Sequence, residues 1–69
     1  MYAIKNIKTG EWLFGTDYRE YPPKQRTSKE QALTYMDEES TKLDLNIREC
    51  GGNYEVVQVK LIEIKEKLI

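Results

Sequence analysis

Hydrophobic and polar positions alternate with period two near both ends of this chain and change pattern in between. Met1 to Lys8 places Tyr2 and Ile4 on one face, with the small Ala3 and the charged Lys5 on the other. That is the pattern of a half-buried strand. Ile7 breaks it, at a bulge or at the start of a turn. Lys8-Thr9-Gly10 then supplies a glycine where a short hairpin loop needs positive φ. Glu11 to Gly15 returns as a second strand, with Trp12 and Phe14 on one face and Leu13 on the other. A hairpin alone is marginal in water, so this one must pack on something else. Towards the other end, Tyr54 to Leu61 is dense in β-branched residues and reads as the surest strand, Val57, Val59 and Leu61 sharing a face. Beyond Leu61 the pattern fits either a continued strand, with Ile62 and Ile64 on the opposite face, or a last helical turn.

Between these strands the chain first loses and then regains order. Residues 16–26 (TDYREYPPKQR) read as a long connection. Pro22-Pro23 removes two N–H donors and forces extended backbone before it, so neither a helix nor a central strand runs through. Connections of this length are uncommon in compact domains unless they carry function or disorder. Thr27 with Glu30 and Ser28 with Gln31 then form overlapping capping boxes, which predict a helix start near residue 28. Asp37-Glu38-Glu39 is a second start signal, a cap followed by acids where the dipole favours them. One continuous helix over 28–50 carries Ala32, Met36, Ser40, Leu43, Ile47 and Cys50 on one stripe. Alternatively a short first turn ends near Ala32, Leu33 to Tyr35 run extended, and the main helix spans 38–50; the internal Asp37 cap favours this second reading. Gly51-Gly52 ends the helix in either case, with Arg48 well placed in its last turn.

Composition narrows the functional classes. The chain has 69 residues, enough for one domain with a thin core. Eleven Lys+Arg against twelve Asp+Glu give a net charge of −1. This argues against a dominant basic field for nucleic acid and against the strong acidity of a DNA mimic. Histidine is absent, which removes Cys–His and Ser–His nucleophile pairs and any His-containing zinc site. The single Cys50 has no internal disulfide partner and reads as a small buried hydrophobe at the helix end. Apolar runs do not exceed four residues, so no membrane span and no signal peptide are expected. A reduced, cytoplasmic, soluble protein is the expectation.

Two groups of residues are candidates for chemistry. Asp37, Glu38 and Glu39 are carboxylates of the kind that gather a hard cation such as magnesium. Acids in a first helical turn more commonly serve as dipole partners and solvated caps, and no enzyme activity and no cofactor are expected. Tyr18, Arg19, Tyr21, Lys24 and Arg26 surround the rigid Pro-Pro. Aromatics interleaved with cations suit single-stranded nucleic acid, by stacking and phosphate contact. The same set, Tyr and Arg above all, supplies hot spots in protein interfaces. Asp17 and Glu20 within the stretch weaken the nucleic-acid reading. A third reading folds Tyr18 and Tyr21 down as a lid over the thin core.

The segments together carry a resemblance. Tyr2-Ala3-Ile4-Lys5-Asn6 with Lys8-Thr9-Gly10 at its turn, Thr27…Ala32…Tyr35 leading to Asp37-Glu38-Glu39, and Gly52-Asn53-Tyr54-Glu55-Val56-Val57-Gln58-Val59 cover most of residues 1–60. In order and spacing they resemble a loose group of small accessory proteins encoded by phages and prophages of Gram-positive bacteria. The resemblance implies a β-hairpin, a helix and a strand that rejoins the hairpin. It also implies a non-catalytic protein that binds and inhibits a host or defence protein, and it offers no catalytic motif. The apolar ending after residue 60 departs from the shorter endings of that group.

The expectation is therefore an α+β domain. A three-stranded antiparallel sheet (roughly 2–7, 11–15, 54–63) carries one main helix, 38–50, on one face, in the order ββαβ. Its core is Ile4, Trp12, Phe14, Leu33, Met36, Leu43, Ile47, Val57 and Val59. The expected function is a protein-binding module acting on a host or defence protein. The alternative is a small nucleic-acid-binding regulatory protein using the 17–26 loop. Residues 60–69 (KLIEIKEKLI) form an apolar extension. Burying four of its aliphatics contributes on the order of 6–10 kcal/mol before entropy costs. With the helix-covered face of the sheet already filled, a two-fold homodimer is expected, its interface built from Leu45, Leu61, Ile62, Ile64, Leu68 and Ile69; the alternative folds this extension back over the open face of its own sheet.

Overall fold

A computed structural model of the chain describes residues 1–60. The expected hairpin comes first, β1 (Tyr2–Asn6) and β2 (Trp12–Asp17). Asn6 builds its turn: the side-chain Oδ1 accepts from the N–H of Lys8 (2.9 Å) and of Thr9 (3.1 Å), and the backbone carbonyl accepts from Gly10 N (2.9 Å). Gly10 sits at φ 74°, the left-handed conformation its position requires. Ile7 lies in the turn and is exposed.

Two further strands follow that the three-stranded expectation lacks: β3 (Lys24–Ser28) and β4 (Thr34–Tyr35), then α1 (Glu38–Ile47) and β5 (Tyr54–Gln58). All five strands of the described residues form one antiparallel sheet. β1 is central. β5 pairs along its whole length on one side. Its other side is shared, with Trp12 of β2 opposite Lys5 and with β4 opposite Tyr2 and Ala3. β2 leaves β1 after Trp12 and pairs with β3 instead, through a bulge between Leu13 and Gly15. The Pro-Pro pair sits immediately before β3, which is an edge strand among the described residues, where missing donors are tolerated.

The capping signals at Thr27 and Ser28 open no helix. Ser28 Oγ does accept from the N–H of Glu30 and Gln31 (3.2 Å each), as a cap would. The Leu33 N–H then donates to the Leu13 carbonyl (3.0 Å), drawing the chain back to the sheet as β4. The extended Leu33–Tyr35 stretch and the separate helix start at Asp37 follow the second of the two sequence readings. Asp37 is the N-cap, its Oδ1 accepting from Ser40 N at 2.7 Å.

The helix ends three residues earlier than expected and without glycine at its left-handed position. Glu49 occupies that position at φ 53°. Its N–H donates to the Asn46 carbonyl (3.1 Å) and that of Cys50 to the Leu45 carbonyl (3.3 Å), a Schellman motif with Leu45 and Cys50 as its apolar contact. A β-carbon in that conformation costs about 1–2 kcal/mol, partly offset by glycine's freedom in the unfolded chain. Glu49→Gly is therefore expected to raise stability by about 0.5–1 kcal/mol, read as a higher urea midpoint at unchanged slope.

The core differs from the expected one in a systematic way. Ile4, Leu13 and Cys50 are buried together, with Tyr35, Leu45 and Tyr54 packed against them. Cross-strand partners share a face, so Ile4, Tyr35, Tyr54 and Leu13 face α1, while Ala3, Lys5, Trp12 and Val57 lie on the opposite face. Trp12 and Phe14 are thus half-buried on the side away from the helix. Met36, Leu43 and Ile47, expected in the core, are exposed at 83%, 61% and 60%. The helix turns inward through Thr41, Asp44, Leu45 and Arg48. Burying Thr41 is tolerable because its hydroxyl donates to the Asp37 carbonyl at 2.7 Å. Leu45, expected as an exposed interface residue, is the aliphatic that α1 sends into the core. The other expected interface residues, Leu61, Ile62, Ile64, Leu68 and Ile69, lie outside the described residues, as does the strand end at 61–63.

Candidate binding arm

Because β2 parts from β1 after its first residues, residues 14–26 form a two-stranded arm standing off the central sheet. The five residues singled out around Pro-Pro fall on this arm. Tyr18 is 59% exposed and Tyr21 92%, so neither ring folds down over the core. The Tyr21–Pro22 peptide is cis. Arg19 leans on Asp17 through a paired contact, Nε to Oδ1 at 3.0 Å and Nη2 to Oδ2 at 2.8 Å. That hydrogen bonding holds the Asp17 carboxyl below its usual range and the guanidinium above its own. At this exposed position the pair contributes little to stability. Lys24 stands opposite Asp17 in the strand register and is exposed. Arg26 is exposed too, and its guanidinium lies over the Phe14 ring at 5.5 Å.

The arm's root is a polar ring that the sequence reading missed. Arg48, the C-cap of α1, donates from Nε to Asp44 Oδ2 at 2.6 Å and from Nη1 to Thr16 Oγ1 at 2.9 Å. Thr16 Oγ1 donates to Gln25 Oε1 at 2.7 Å, and Gln25 Nε2 donates to the Arg48 carbonyl at 2.7 Å. Tyr35 OH donates to the same Asp44 oxygen that Arg48 uses. Burial, then the hydrogen bond to Asp44, pushes the Tyr35 hydroxyl up to about 12. Burial also acts to raise the Asp44 carboxyl, but the hydrogen bonds from Tyr35 and Arg48 outweigh it and hold it low. The i, i+4 spacing of Asp44 and Arg48 was the available signal for this pair.

On the face away from α1, Lys5 Nζ lies 5.1 Å from the Trp12 ring centre. Together with Arg26 over Phe14, it makes a second cation–aromatic surface continuous with the arm through β2.

The acidic candidates do other work. Asp37 caps α1, and Ser40 N–H holds its carboxyl below the usual range. Glu38 pairs with Lys42 at 3.1 Å, one turn along. Cys50 is buried, and burial pushes its thiol up, away from reactivity at neutral pH. Among the described residues no helix is long and apolar enough to cross a membrane. No protein-family model matches the chain, and no curated protein or solved structure matches it.

Proposed function

We propose that this chain is a non-catalytic protein-binding module whose arm carries the contact, through Tyr18, Arg19, Tyr21, Lys24 and Arg26. The observation that supports the reading is Tyr21, a large ring left 92% exposed at the tip of a projecting hairpin. Solvent exposure of an aromatic beside arginines is the makeup of an interface hot spot before its partner arrives. The resemblance to phage accessory proteins supplies the class of partner, a host or defence protein of a bacterium, and with it the bacterial cytoplasm as the working compartment.

The cation–aromatic pairs favour single-stranded nucleic acid as a second reading. It ranks lower because Lys5 and Arg26 already lie over the Trp12 and Phe14 rings on which bases would stack. Salt separates the two readings. Neutralising several phosphates gives affinity that falls steeply with salt concentration. Fluorescence anisotropy with short single-stranded and duplex oligonucleotides is expected to show no binding at low salt; saturable, salt-sensitive binding overturns the protein-binding reading in favour of the second. Tyr18→Ala and Tyr21→Ala are each expected to change stability by less than about 0.5 kcal/mol, because neither ring packs in the core. Thermal unfolding by circular dichroism checks this.

A further inference from the structure

We propose that Arg48 is a positioning residue for the arm, fixing its direction from the arm's root; the inference rests on the arm being the binding element. Among the described residues β1 and β2 are in register only at Lys5 and Trp12. The bulge between Leu13 and Gly15 follows at once, a natural place for the hairpin to bend. Beyond Leu13, two hydrogen bonds tie the arm to the rest of the described residues, and both use Arg48: Nη1 to Thr16 Oγ1 on β2, and Gln25 Nε2 from β3 to the Arg48 carbonyl. A single residue thus holds both strands. It is itself held, since Asp44 Oδ2 receives its Nε and the Tyr35 hydroxyl together. Arginine suits this post because its planar fork reaches two acceptors in different directions, which a lysine ammonium on a flexible stem does not do. Released from Arg48, the arm keeps its internal β2–β3 pairing but swings about the bulge, and only a fraction of its orientations present Tyr18 and Tyr21 correctly.

The test is orientational and needs no partner. In the full chain, amide residual dipolar couplings of residues 16–25 are expected to fit the same alignment as β1 and β5. In Arg48→Met, which keeps the aliphatic stem, the arm couplings are expected to shrink together while those of β1 and β5 stay. Gln25→Leu removes one of the two ties without touching α1, and is expected to give a smaller loss in the same direction; it serves if the Arg48 variant fails to fold. If the arm is oriented in a tenth of its population, affinity for a captured partner falls about tenfold in Arg48→Met. Arm couplings unchanged in both folded variants overturn the inference. A wild-type chain that captures no partner while the couplings shrink as expected overturns the binding reading and leaves Arg48 in its positioning role.

Discussion

Ile4→Ala is expected to unfold a large part of the population at 37 °C. Ile4 is fully buried at the centre of β1, touching the elements that meet there. Removing its side chain costs about 2–5 kcal/mol, because transfer energy is lost and the surrounding strands and helix collapse only partly into the space. A chain of 69 residues commands about 3–10 kcal/mol in all. The loss is a large share of the total. Leu43→Ala is the matched control. Hydrophobicity along the helix places Leu43 in the core, yet it is 61% exposed, and its truncation is expected to cost less than about 0.5 kcal/mol. Urea unfolding of both variants, at unchanged slope, is the measurement. Equal costs contradict the helix orientation described above.

Asp44→Ala comes next in size, at about 2–3 kcal/mol, since it leaves the half-buried Arg48 and Tyr35 without the acceptor they share. Its pH signature distinguishes it from a simple packing loss. The Asp44 carboxyl is held below its ordinary 3.8, so its contribution is complete above that value and is lost as pH falls through the lower folded value. Tyr35 acts with the opposite sign. Its hydroxyl is raised from 10.0 to about 12, so its contribution is complete below pH 10 and is lost as pH climbs from there towards 12. Asp44→Asn is expected to flatten the acid limb and Tyr35→Phe the alkaline limb of stability against pH.

How much of this was legible in the sequence depends on what each signal measures. Period-two alternation and the turn glycine located β1 and β2, and β-branched density located β5, because each reports directly on backbone conformation. The Asp37 cap located the start of α1 for the same reason. β3 was not legible, because KQRTS carries no apolar alternation and the capping residues of 27–31 form their local hydrogen bonds without a helix; the extended Leu33–Tyr35 stretch was legible, but not its pairing with β1 as β4. Tertiary pairing decided there, through the Leu33–Leu13 hydrogen bond. The helix face was not legible because size and hydrophobicity do not mark the buried side of α1. α1 instead buries Thr41, whose hydroxyl is satisfied locally, and turns Asp44 and Arg48 towards the polar root of the arm. The same rotation carried Leu45 inward. Within the arm, the Pro-Pro marked the stretch that carries the Tyr and Arg residues, but neither the exposure of the tyrosines nor the common support of the stretch was legible. Thr16, Gln25 and Arg48 are brought together only by the way β2 departs from β1.

In the proposed reading the arm, and not the exposed apolar side of α1, makes the contact. Affinity capture from a nuclease-treated bacterial lysate tests it most directly, comparing the tagged wild-type chain with two folded variants. One carries Tyr18→Ala, Tyr21→Ala and Arg26→Ala; the other carries Leu43→Ser and Ile47→Ser. A specific bacterial protein is expected to be retained by the wild type and by the helix variant and lost from the arm variant. Retention by the arm variant with loss from the helix variant, or no protein retained above background by the wild type, contradicts it.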